Sequence, residues 1–319
     1  MPLFRTSTTF GPVPSRRLGM SMGINNIPSK VCTYACIYCQ VGRTTLMTKN
    51  RREFYRPDVI YQAAHKQLDK TFESGVRTDY LTFVPDGEPT LDINLGKTID
   101  LLRPLGIPIA VITNSSLIWR MDVREELAKA DWVSVKIDAV DSSVWRKINR
   151  PQAFLQSSQI QDGLVEFARH FSGRLVTETM LVGNLNENDD QLKDIAAFIE
   201  VLGPRKAYLS VPIRPPVEGW VKKPDENRLN RAYQIFSEKL AGVEYLIGYE
   251  GNAFAYTGNA RKDILNITAV HPMRRSAVER LLSKTGEPWT LVDRLIASGN
   301  LKESMYEGHT YYLRTFGPS

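Results

Sequence analysis

All three cysteines of the chain lie in one stretch, Val31-Cys32-Thr33-Tyr34-Ala35-Cys36-Ile37-Tyr38-Cys39-Gln40. The C-x3-C-x2-C spacing lets one short loop turn three thiolates toward a single point. Such a loop suits a soft metal or an iron–sulfur cluster with one position left open. Cysteines that serve only as small buried hydrophobic residues need no such proximity. We therefore expect the chemistry of the protein at this stretch, called the cysteine loop below.

Two structural roles compete with that interpretation. A structural zinc site needs a fourth ligand, and the histidines all lie far from the loop in sequence, at His65, His170, His271 and His309. A structural disulfide fits poorly with an odd number of cysteines and with a sequence that implies no oxidising compartment. Both roles are less favoured than a site with three thiolate ligands and one open position.

The cysteine loop resembles the signature of the radical S-adenosylmethionine (SAM) enzymes, in its three cysteines and in Tyr38 just before the third. The resemblance implies that Cys32, Cys36 and Cys39 hold a 4Fe–4S cluster and that the amino and carboxylate groups of SAM bind the fourth iron. It also implies that Tyr38 packs beside the cluster and the adenine. In that superfamily an electron from the cluster breaks a C–S bond of SAM, and the resulting 5′-deoxyadenosyl radical abstracts hydrogen from a substrate.

A second resemblance lies ahead of the loop, in Phe10-Gly11-Pro12-Val13-Pro14-Ser15-Arg16-Arg17-Leu18-Gly19. This stretch is similar to a radical SAM branch related to the wyosine-base synthases, which modify transfer RNA. Archaeal members of that group use further cysteines for a second cluster that activates pyruvate, whereas this chain has only 3 cysteines. We therefore expect a single-cluster enzyme that uses the deoxyadenosyl radical directly, and we do not expect the pyruvate reaction.

The composition is that of an ordinary soluble globular protein, with 319 residues, of which 42% are hydrophobic and 24% charged. A chain of this length can form one large domain and a small one. It has no apolar run of the roughly 18 residues that a membrane helix needs, and residues 1–9 lack the apolar segment of a signal peptide. We expect a cytoplasmic protein without a membrane partner, in which the thiols stay reduced.

Positive charge gathers near the cysteine loop. Residues 1–56 contain nine lysines and arginines and a single acid, Glu53, although the net charge of the whole chain is only +6. Such a field attracts nucleic acid or a phosphorylated substrate. A solvated surface, or compensation for the charge of a thiolate-bound cluster, explains it equally well. If the protein acts on RNA, we expect Arg16, Arg17, Arg51 and Arg52 to face the mouth of the active site.

The chain alternates strand-like and helix-like segments, which predicts parallel strands joined by right-handed crossovers. Six strands are predicted, at Met20–Asn25, Tyr80–Val84, Ile109–Thr113, Trp132–Ile137, Arg174–Leu181 and Lys206–Val211. Helices are predicted between them, at Pro57–Ser74, Asn94–Leu105, Met121–Ala130, Ser157–Phe171 and Asp189–Leu202. The pattern fits an open sheet as well as a barrel. The resemblance favours an α/β fold of the partial (β/α)6 barrel type, with the reactive centre at the carboxyl ends of the strands.

We predict four segments along the chain: a basic N-terminal extension over 1–19, the partial barrel over 20–222, a connecting segment over 223–268 and a winged-helix-like domain over 269–319. The prolines of Ile213-Arg214-Pro215-Pro216-Val217-Glu218-Gly219-Trp220 exclude regular structure there, which leaves a lid over the barrel mouth or a connector. In the connecting segment we expect a helix over 225–241, a strand over Val243–Tyr249 and a variable stretch over Glu250–Thr268.

The tail has its own pattern of two helices and a hairpin. The helices are predicted from His271 to Lys284 and from Pro288 to Ser298, and Gly299-Asn300 suits the end of the second. Strands are predicted at Leu301–Ser304 and Thr310–Phe316, joined by Glu307-Gly308. Two helices followed by a hairpin in so short a segment indicate a winged-helix domain.

Polar residues that follow the predicted strands are candidates for contacts with SAM. The turn Asp86-Gly87-Glu88-Pro89 resembles the family's Gly-Gly-Glu-Pro motif, with Asp86 in place of the first glycine. Gly87 and Glu88 are therefore candidates for binding the SAM amino group. The turn Thr113-Asn114-Ser115-Ser116 resembles the family's Thr-Asn-Gly motif without its glycine, so Asn114 is a candidate for a SAM oxygen or for a structural role.

The fourth predicted strand supplies two more candidates. Ser134, Lys136 and Asp138 alternate along it and share one face, which is the barrel interior if Trp132 points the same way. A lysine suits the SAM carboxylate, and a carboxylate suits ribose hydroxyl groups. Lys136 and Asp138 are therefore added to the predicted cofactor site.

Together these observations predict a radical SAM enzyme that modifies an unidentified substrate, which the basic N-terminal region suggests is RNA. A protein or peptide docked by the winged-helix tail is the alternative substrate, because the tail's charges are too evenly balanced to require nucleic acid. A non-enzymatic metal or redox sensor with a DNA-binding tail is the third interpretation. The enzyme would also need an electron donor such as flavodoxin or ferredoxin.

Overall fold

The computed structural model describes residues 7–73, 75–247, 259–270 and 272–315. Within them the strands are β1 Thr9–Ser15, β2 Gly19–Ile24, β3 Val31–Cys32, β4 Leu46–Met47, β5 Tyr80–Phe83, β6 Ile109–Thr113, β7 Trp132–Lys136, β8 Arg174–Met180, β9 Lys206–Ser210, β10 Val243–Leu246, β11 Met273–Arg274, β12 Leu301–Tyr306 and β13 His309–Arg314. Eight of these strands form one sheet in the order β1-β2-β5-β6-β7-β8-β9-β10. The others form a three-stranded sheet, β11-β13-β12, and the short pair β3-β4.

The main sheet confirms the α/β prediction. All six predicted strands are present, as β2 and β5 to β9, and each pairs in parallel with the next. A seventh parallel strand, β10, pairs with β9, and β1 covers the opposite edge by antiparallel pairing with β2. The carboxyl ends of the seven parallel strands therefore lie at the same side of the sheet.

Within the described residues the α-helices are α1 Pro57–Glu73, α2 Leu95–Leu102, α3 Met121–Leu127, α4 Ser142–Asn149, α5 Ser157–His170, α6 Asp189–Leu202, α7 Glu226–Ser237, α8 Ala260–Val270, α9 Arg275–Thr285 and α10 Thr290–Ala297. Helices α1 to α7 connect the parallel strands, as that arrangement requires. Helix α4 was not predicted from the sequence, although Asp141 caps it by accepting hydrogen bonds from the Ser143 and Val144 amides at 2.8 and 2.9 Å. Ser74, the predicted end of α1, lies outside the described residues. No helix in the described parts of the chain is long and apolar enough to cross a bilayer.

The sheet separates two apolar clusters. On one face Val111, Val133 and Leu209 pack in a core that also includes side chains of the flanking helices. On the other face Trp132 and Tyr208 pack with Leu18, which lies in the turn between β1 and β2. Trp132 therefore points toward the inner face, as the predicted placement of Lys136 and Asp138 requires.

The N-terminal and connecting segments differ from their predicted outlines. Residues 9–15 of the predicted extension form β1, whose Phe10 and Val13 are buried in the core of the C-terminal unit. In the predicted connecting segment the strand expected over Val243–Tyr249 is present as β10, and it belongs to the main sheet. Helix α8 occupies part of the stretch expected to be variable, because burial against distant elements stabilises regular structure there. Residues 1–6 and 248–258 lie outside the described residues.

The C-terminal unit follows the order α8, β11, α9, α10, β12, β13. Its three strands form an antiparallel sheet, and Glu307 and Gly308 make the hairpin turn with φ values of 47° and 73°. Helix α9 begins at Arg275, after β11, and not at the predicted start, because residues 273–274 pair with β13. His271 and Phe316 lie outside the described residues. Three helices and a three-stranded sheet fit the winged-helix interpretation, which stays a prediction.

Candidate active site

The predicted site residues gather at the carboxyl ends of the parallel strands. The cysteine loop follows β2, Glu88 follows β5, Asn114 follows β6 and Asp138 follows β7. The end of α4 supports the loop from outside, because the Ala35 amide donates to the Asn149 carbonyl at 3.1 Å. Segments far apart in sequence therefore build one site around the loop.

The turn over residues 85–88 packs directly against the cysteine loop. The Glu88 amide donates to the Val31 carbonyl at 3.1 Å, and the Lys30 amide donates to the Asp86 carbonyl at 2.6 Å. A Cβ atom on Gly87 would lie 2.1 Å from the Val31 carbonyl oxygen. Only glycine therefore allows this approach, which agrees with the prediction that the turn borders the cofactor.

The carbonyl groups of this turn are not all free to bind a ligand. Those of Pro85, Asp86 and Glu88 accept backbone amides. In the described structure the carbonyl of Gly87 is the one of the four that accepts none. It is the backbone group of the turn that remains for an ammonium group such as that of SAM.

The carboxylate of Glu88 is used within the protein. It is fully buried and accepts hydrogen bonds from the Thr90 amide at 3.1 Å, the Thr113 hydroxyl at 2.6 Å and the Asn114 amide at 2.8 Å. Burial raises the pKa of Glu88, and these donors partly oppose that rise. Glu88 thus joins the turn after β5 to the turn after β6, and its side chain acts by positioning both.

Asn114 reaches the cysteine loop with its side chain. Its amide nitrogen lies 2.8 Å from the Thr33 hydroxyl and 3.5 Å from the Cys32 sulfur. Ser116 also donates to the Thr33 hydroxyl, at 2.6 Å. Asn114 therefore has a structural role that is directed at a cysteine, and its contact with a SAM oxygen stays a prediction.

Asp86, which replaces the family's glycine, forms a buried ion pair with Lys30. The two side chains are only 2% and 10% exposed. Burial raises the pKa of Asp86 to about 6, and the neighbouring Lys30 partly opposes the rise. The same lysine lowers the pKa of Cys39, although burial of that thiol raises it more. Asp86, the residue in place of the family's glycine, therefore has Lys30 as its counter-ion, and this pair lies near Cys39.

Asp138 is the centre of a buried network beside Cys36. It accepts the hydroxyl of Tyr38, the Asn149 side-chain amide at 2.7 Å and the Met180 backbone amide at 2.8 Å. Asn149 also lies 3.5 Å from the Cys36 sulfur. Asp138 is 3% exposed, so its carboxylate holds Tyr38 and Asn149 in place. Asn149 was not a candidate, because no motif marks it in the sequence.

Lys136 faces the inner side of the sheet, as predicted from the strand alternation. Its ammonium group lies 3.1 Å from a carboxylate oxygen of Glu178 and 5.1 Å from the centre of the Tyr38 ring. Arg17 contacts the other carboxylate oxygen of Glu178. The Ser210 hydroxyl donates at 3.1 Å to the oxygen that Lys136 contacts. Although burial alone would raise the pKa of Glu178, the two cations hold it well below its usual range. Alternation along β8 could have identified Glu178, but nothing local indicated Arg17.

The three cysteines are free thiols, each partly exposed. Burial raises the pKa of all three, that of Cys36 to about 12. A metal reverses this effect because a coordinating thiol is deprotonated outright. In the parts of the chain that the structure describes, no three His, Cys, Asp or Glu side chains are placed to hold a single metal ion.

The proline-rich segment over 212–218, called the strap below, packs on the cysteine loop. The Val217 amide donates to the Cys39 carbonyl at 2.9 Å, and the Arg214 amide donates to the Gln40 side chain at 2.8 Å. From the C-terminal unit, the hydroxyls of Tyr306 and Tyr311 donate to the carbonyls of residues 212 and 213 at 2.8 and 2.9 Å. The strap is therefore more than a connector.

The predicted group of four arginines does not form one patch at the mouth. Arg17 points inside the barrel, and Arg51 is held by Asp122 at 2.7 Å and by Glu126, with its side chain only 5% exposed. Arg52 is exposed. These ion pairs join residues distant in sequence, so a count of charges along the chain could not reveal them.

Three pairs of a basic and an aromatic side chain instead lie near the loop, and each of these side chains is exposed or partly exposed. We call the three pairs the rim. They are Lys49 over the Phe154 ring at 5.0 Å, Arg52 over the Phe54 ring at 4.8 Å and Arg120 over the Trp119 ring at 5.8 Å. The Thr48 amide donates to the Cys32 carbonyl at 3.1 Å, which places this segment beside the cysteine loop. Asp122 contacts both Arg51 and Arg120, so the pairs are neighbours.

Comparison with known proteins extends these observations. The model of the Radical SAM superfamily matches residues 26–199. A UPF0026 protein of Methanocaldococcus jannaschii is 45% identical, covering 96% of this chain and 95% of that protein. A protein named GTPase Obg of Brachyspira hyodysenteriae is 30% identical over 97% of this chain, which spans only 45% of that protein. The sequence of this chain contains no Gly-x-x-x-x-Gly-Lys-Ser/Thr motif.

Among solved structures, TYW1 with a lysine-pyruvate adduct bound has a TM-score of 0.54 at 18% identity, covering 70% of this chain and 76% of that chain. At this identity the similarity concerns the fold. The described residues thus combine a shared fold with three clustered cysteines and a polar network around them.

Proposed function

The chain belongs to the radical SAM superfamily, and we propose that it holds a single 4Fe–4S cluster on Cys32, Cys36 and Cys39 and cleaves SAM reductively. When bound, the cluster and SAM supply a 5′-deoxyadenosyl radical that abstracts hydrogen from the substrate. The observation that carries the cofactor assignment is the loop itself, which contains all three cysteines of the chain.

Three cysteines in one short loop suit a cluster with one open iron. A structural zinc site would need a fourth protein ligand. Asn114 and Asn149 each place a side-chain amide 3.5 Å from a cysteine sulfur, where it favours the thiolate.

The chain's own groups then divide the work of holding SAM. The Gly87 carbonyl is available for the ammonium group, and the Lys136 ammonium is available for the carboxylate. Glu178 keeps Lys136 charged and fixed in direction. Asp138 and Asn149 hold the hydroxyl of Tyr38 and so fix this residue within the loop. The adenosine part of SAM would then contact other residues at the carboxyl ends of the same strands.

For the substrate we propose single-stranded RNA, and the rim supports it. Proteins that bind single strands combine basic side chains with aromatic rings on which bases stack. Phe154 is 73% exposed and Trp119 is 37% exposed, and each has a cation over its ring. Unpaired bases suit such rings better than a duplex does. The rim borders the cysteine loop, which places a bound strand near the reactive centre.

Two experiments test this proposal. Anaerobic reconstitution with iron and sulfide, followed by SAM and a strong reductant, should give 5′-deoxyadenosine with the intact protein and none with Cys36→Ala. A protein that binds zinc and cleaves no SAM would contradict the cofactor assignment and favour the sensor interpretation.

The RNA assignment is tested by the fluorescence anisotropy of a labelled single-stranded oligonucleotide. We expect Phe154→Ala to weaken binding by about tenfold, since stacking on one ring contributes about 1–3 kcal/mol. Phe72→Ala is the matched control, because Phe72 is 86% exposed on α1 and lies outside the rim. Equal binding of the oligonucleotide by both variants and by wild type would contradict RNA as the substrate and favour a protein or peptide.

A further inference from the structure

The turn over residues 16–18, between β1 and β2, belongs to the stretch that resembles the wyosine-related branch. Leu18 in this turn is 3% exposed and packs with Tyr208 and Leu246 on the inner face of the sheet. Leu246 belongs to β10, and β2 and β10 are the outermost of the parallel strands. The turn therefore joins the two ends of the parallel array on its inner side.

The backbone after the turn is fixed where β2 begins. Gly19 has a φ of 64°, and a Cβ atom there would clash with the carboxylate of Asp79. That carboxylate accepts a hydrogen bond from the Met20 amide at 2.8 Å. These contacts hold the turn in one conformation and so give the Arg17 side chain a defined direction.

Arg17 shares a carboxylate with Lys136 inside the barrel. Its guanidinium contacts one oxygen of Glu178, and the Lys136 ammonium lies 3.1 Å from the other oxygen. The side chains of Arg17, Glu178 and Lys136 are 17%, 14% and 20% exposed. All three are therefore largely buried but still border a space that solvent, and hence a ligand, can reach.

The charges of these three side chains do not cancel. One carboxylate faces two cations, so the group has a net charge of +1. Asp138, two residues beyond Lys136, is a further carboxylate, but it is stabilised by the neutral donors Tyr38, Asn149 and the Met180 amide. Without Arg17, Lys136 and Glu178 would form a neutral pair. A second carboxylate that enters a buried site costs free energy unless a cation balances it.

We propose that Arg17 is a positioning residue for SAM: by sharing Glu178, it leaves Lys136 with the direction and the unbalanced positive charge that the SAM carboxylate needs. The proposal rests on the proposed function, in which Lys136 meets that carboxylate. It also gives the turn over residues 16–18 a role in the site, because the turn brings the second cation to the shared carboxylate.

Two ligands separate this role from a general effect on the fold. On the reconstituted protein, equilibrium dialysis gives the dissociation constants of SAM and of decarboxylated SAM, which lacks the carboxylate. We expect Arg17→Met to weaken SAM binding by about tenfold, as the loss of one charge-assisted interaction does. The same variant should bind decarboxylated SAM nearly as well as wild type does. Lys136→Met should show the same selectivity, because both cations act on the carboxylate.

Arg16→Met is the matched control, because it removes the same charge from the same turn at an exposed side chain. It should bind both ligands as wild type does. If Arg17→Met weakened the two ligands equally, or weakened neither, the proposal would be overturned. An equal loss of SAM affinity in the Arg16 and Arg17 variants would also overturn it, because the effect would then follow the net charge of the turn.

A second measurement needs no cluster. Carbon-13 NMR of protein labelled at the glutamate carboxyl groups follows the titration of Glu178, whose signal is assigned by its absence from Glu178→Gln. Although burial alone would raise the pKa of Glu178, Lys136 and Arg17 hold it well below its usual range. Arg17→Met should therefore raise this pKa by about 1 or more, and Arg16→Met should leave it unchanged.

The two measurements fail in different ways. An unchanged pKa of Glu178 in Arg17→Met would refute the shared carboxylate and with it the proposal. A protein in which this pKa rises as expected, but which assembles no cluster and binds no SAM, would refute the proposed function while leaving the contact of Arg17 with Glu178 standing.

Discussion

Substitution of Gly87 by alanine gives the sharpest test of how the turn over 85–88 meets the cysteine loop. The added Cβ would lie 2.1 Å from the Val31 carbonyl oxygen and 2.8 Å from Ile27 Cδ1. An ordinary contact begins near 3.4 Å, so the two segments must separate by about 1.3 Å. That separation breaks the hydrogen bond from the Glu88 amide to the Val31 carbonyl, now 3.1 Å, and strains the one from Lys30 to Asp86.

Each buried hydrogen bond that is lost costs about 1–3 kcal/mol, so we expect Gly87→Ala to lower the free energy of unfolding by about 2–5 kcal/mol. Urea denaturation followed by circular dichroism measures it. Gly219→Ala is the control, because a Cβ there meets nothing within 4 Å, and it should change stability by less than about 0.5 kcal/mol. Equal unfolding midpoints for the two variants would refute the close approach of turn and loop.

Three further predictions concern groups around the site. Burial raises the pKa of Glu126 from 4.5 to about 7, so the folded protein keeps a proton that the unfolded chain releases. Between pH 5 and 7 wild type should therefore lose up to about 3 kcal/mol more stability than Glu126→Gln. Tyr306→Phe with Tyr311→Phe removes two hydroxyl hydrogen bonds to the strap, which should cost about 2 kcal/mol and speed the loss of iron from the reconstituted protein. Glu178→Gln leaves Lys136 without its buried counter-ion and should cost about 3–5 kcal/mol, seen as a lower denaturation midpoint.

Each of these predictions has an outcome that contradicts it. Parallel stability curves of wild type and Glu126→Gln across the pH range would show that the raised pKa is wrong. Tyr245→Phe also removes one hydroxyl hydrogen bond, at 3.0 Å to the Leu229 carbonyl, but it does not touch the strap. If Tyr245→Phe released iron as fast as Tyr306→Phe with Tyr311→Phe does, the hydrogen bonds to the strap would have no special role in retaining iron. A fully stable Glu178→Gln protein would mean that Lys136 finds another partner.

The local pattern of the sequence was enough to predict most of the main sheet and several of its helices. The six parallel strands and the helices α1, α5 and α6 were predicted because apolar periodicity records which face of each element is buried. The cysteine spacing likewise identified the loop, since three ligands in one short stretch need no knowledge of the fold. Alternation along one strand was sufficient to place Lys136 and Asp138 on the inner face of the sheet.

Only the tertiary structure decided what those residues contact. Glu88 and Asp138 were predicted as cofactor contacts, and only the fold shows that their carboxylates also accept long-range hydrogen bonds that support the turns around the loop. Arg51 looked like part of a basic patch and is paired inside the protein. Likewise, the contact of Arg17 with Glu178 joins residues 161 positions apart. Charge and polarity are properties of a residue, whereas partners and burial depend on chain segments that meet only after folding, and the chemistry of the site is set by the partners.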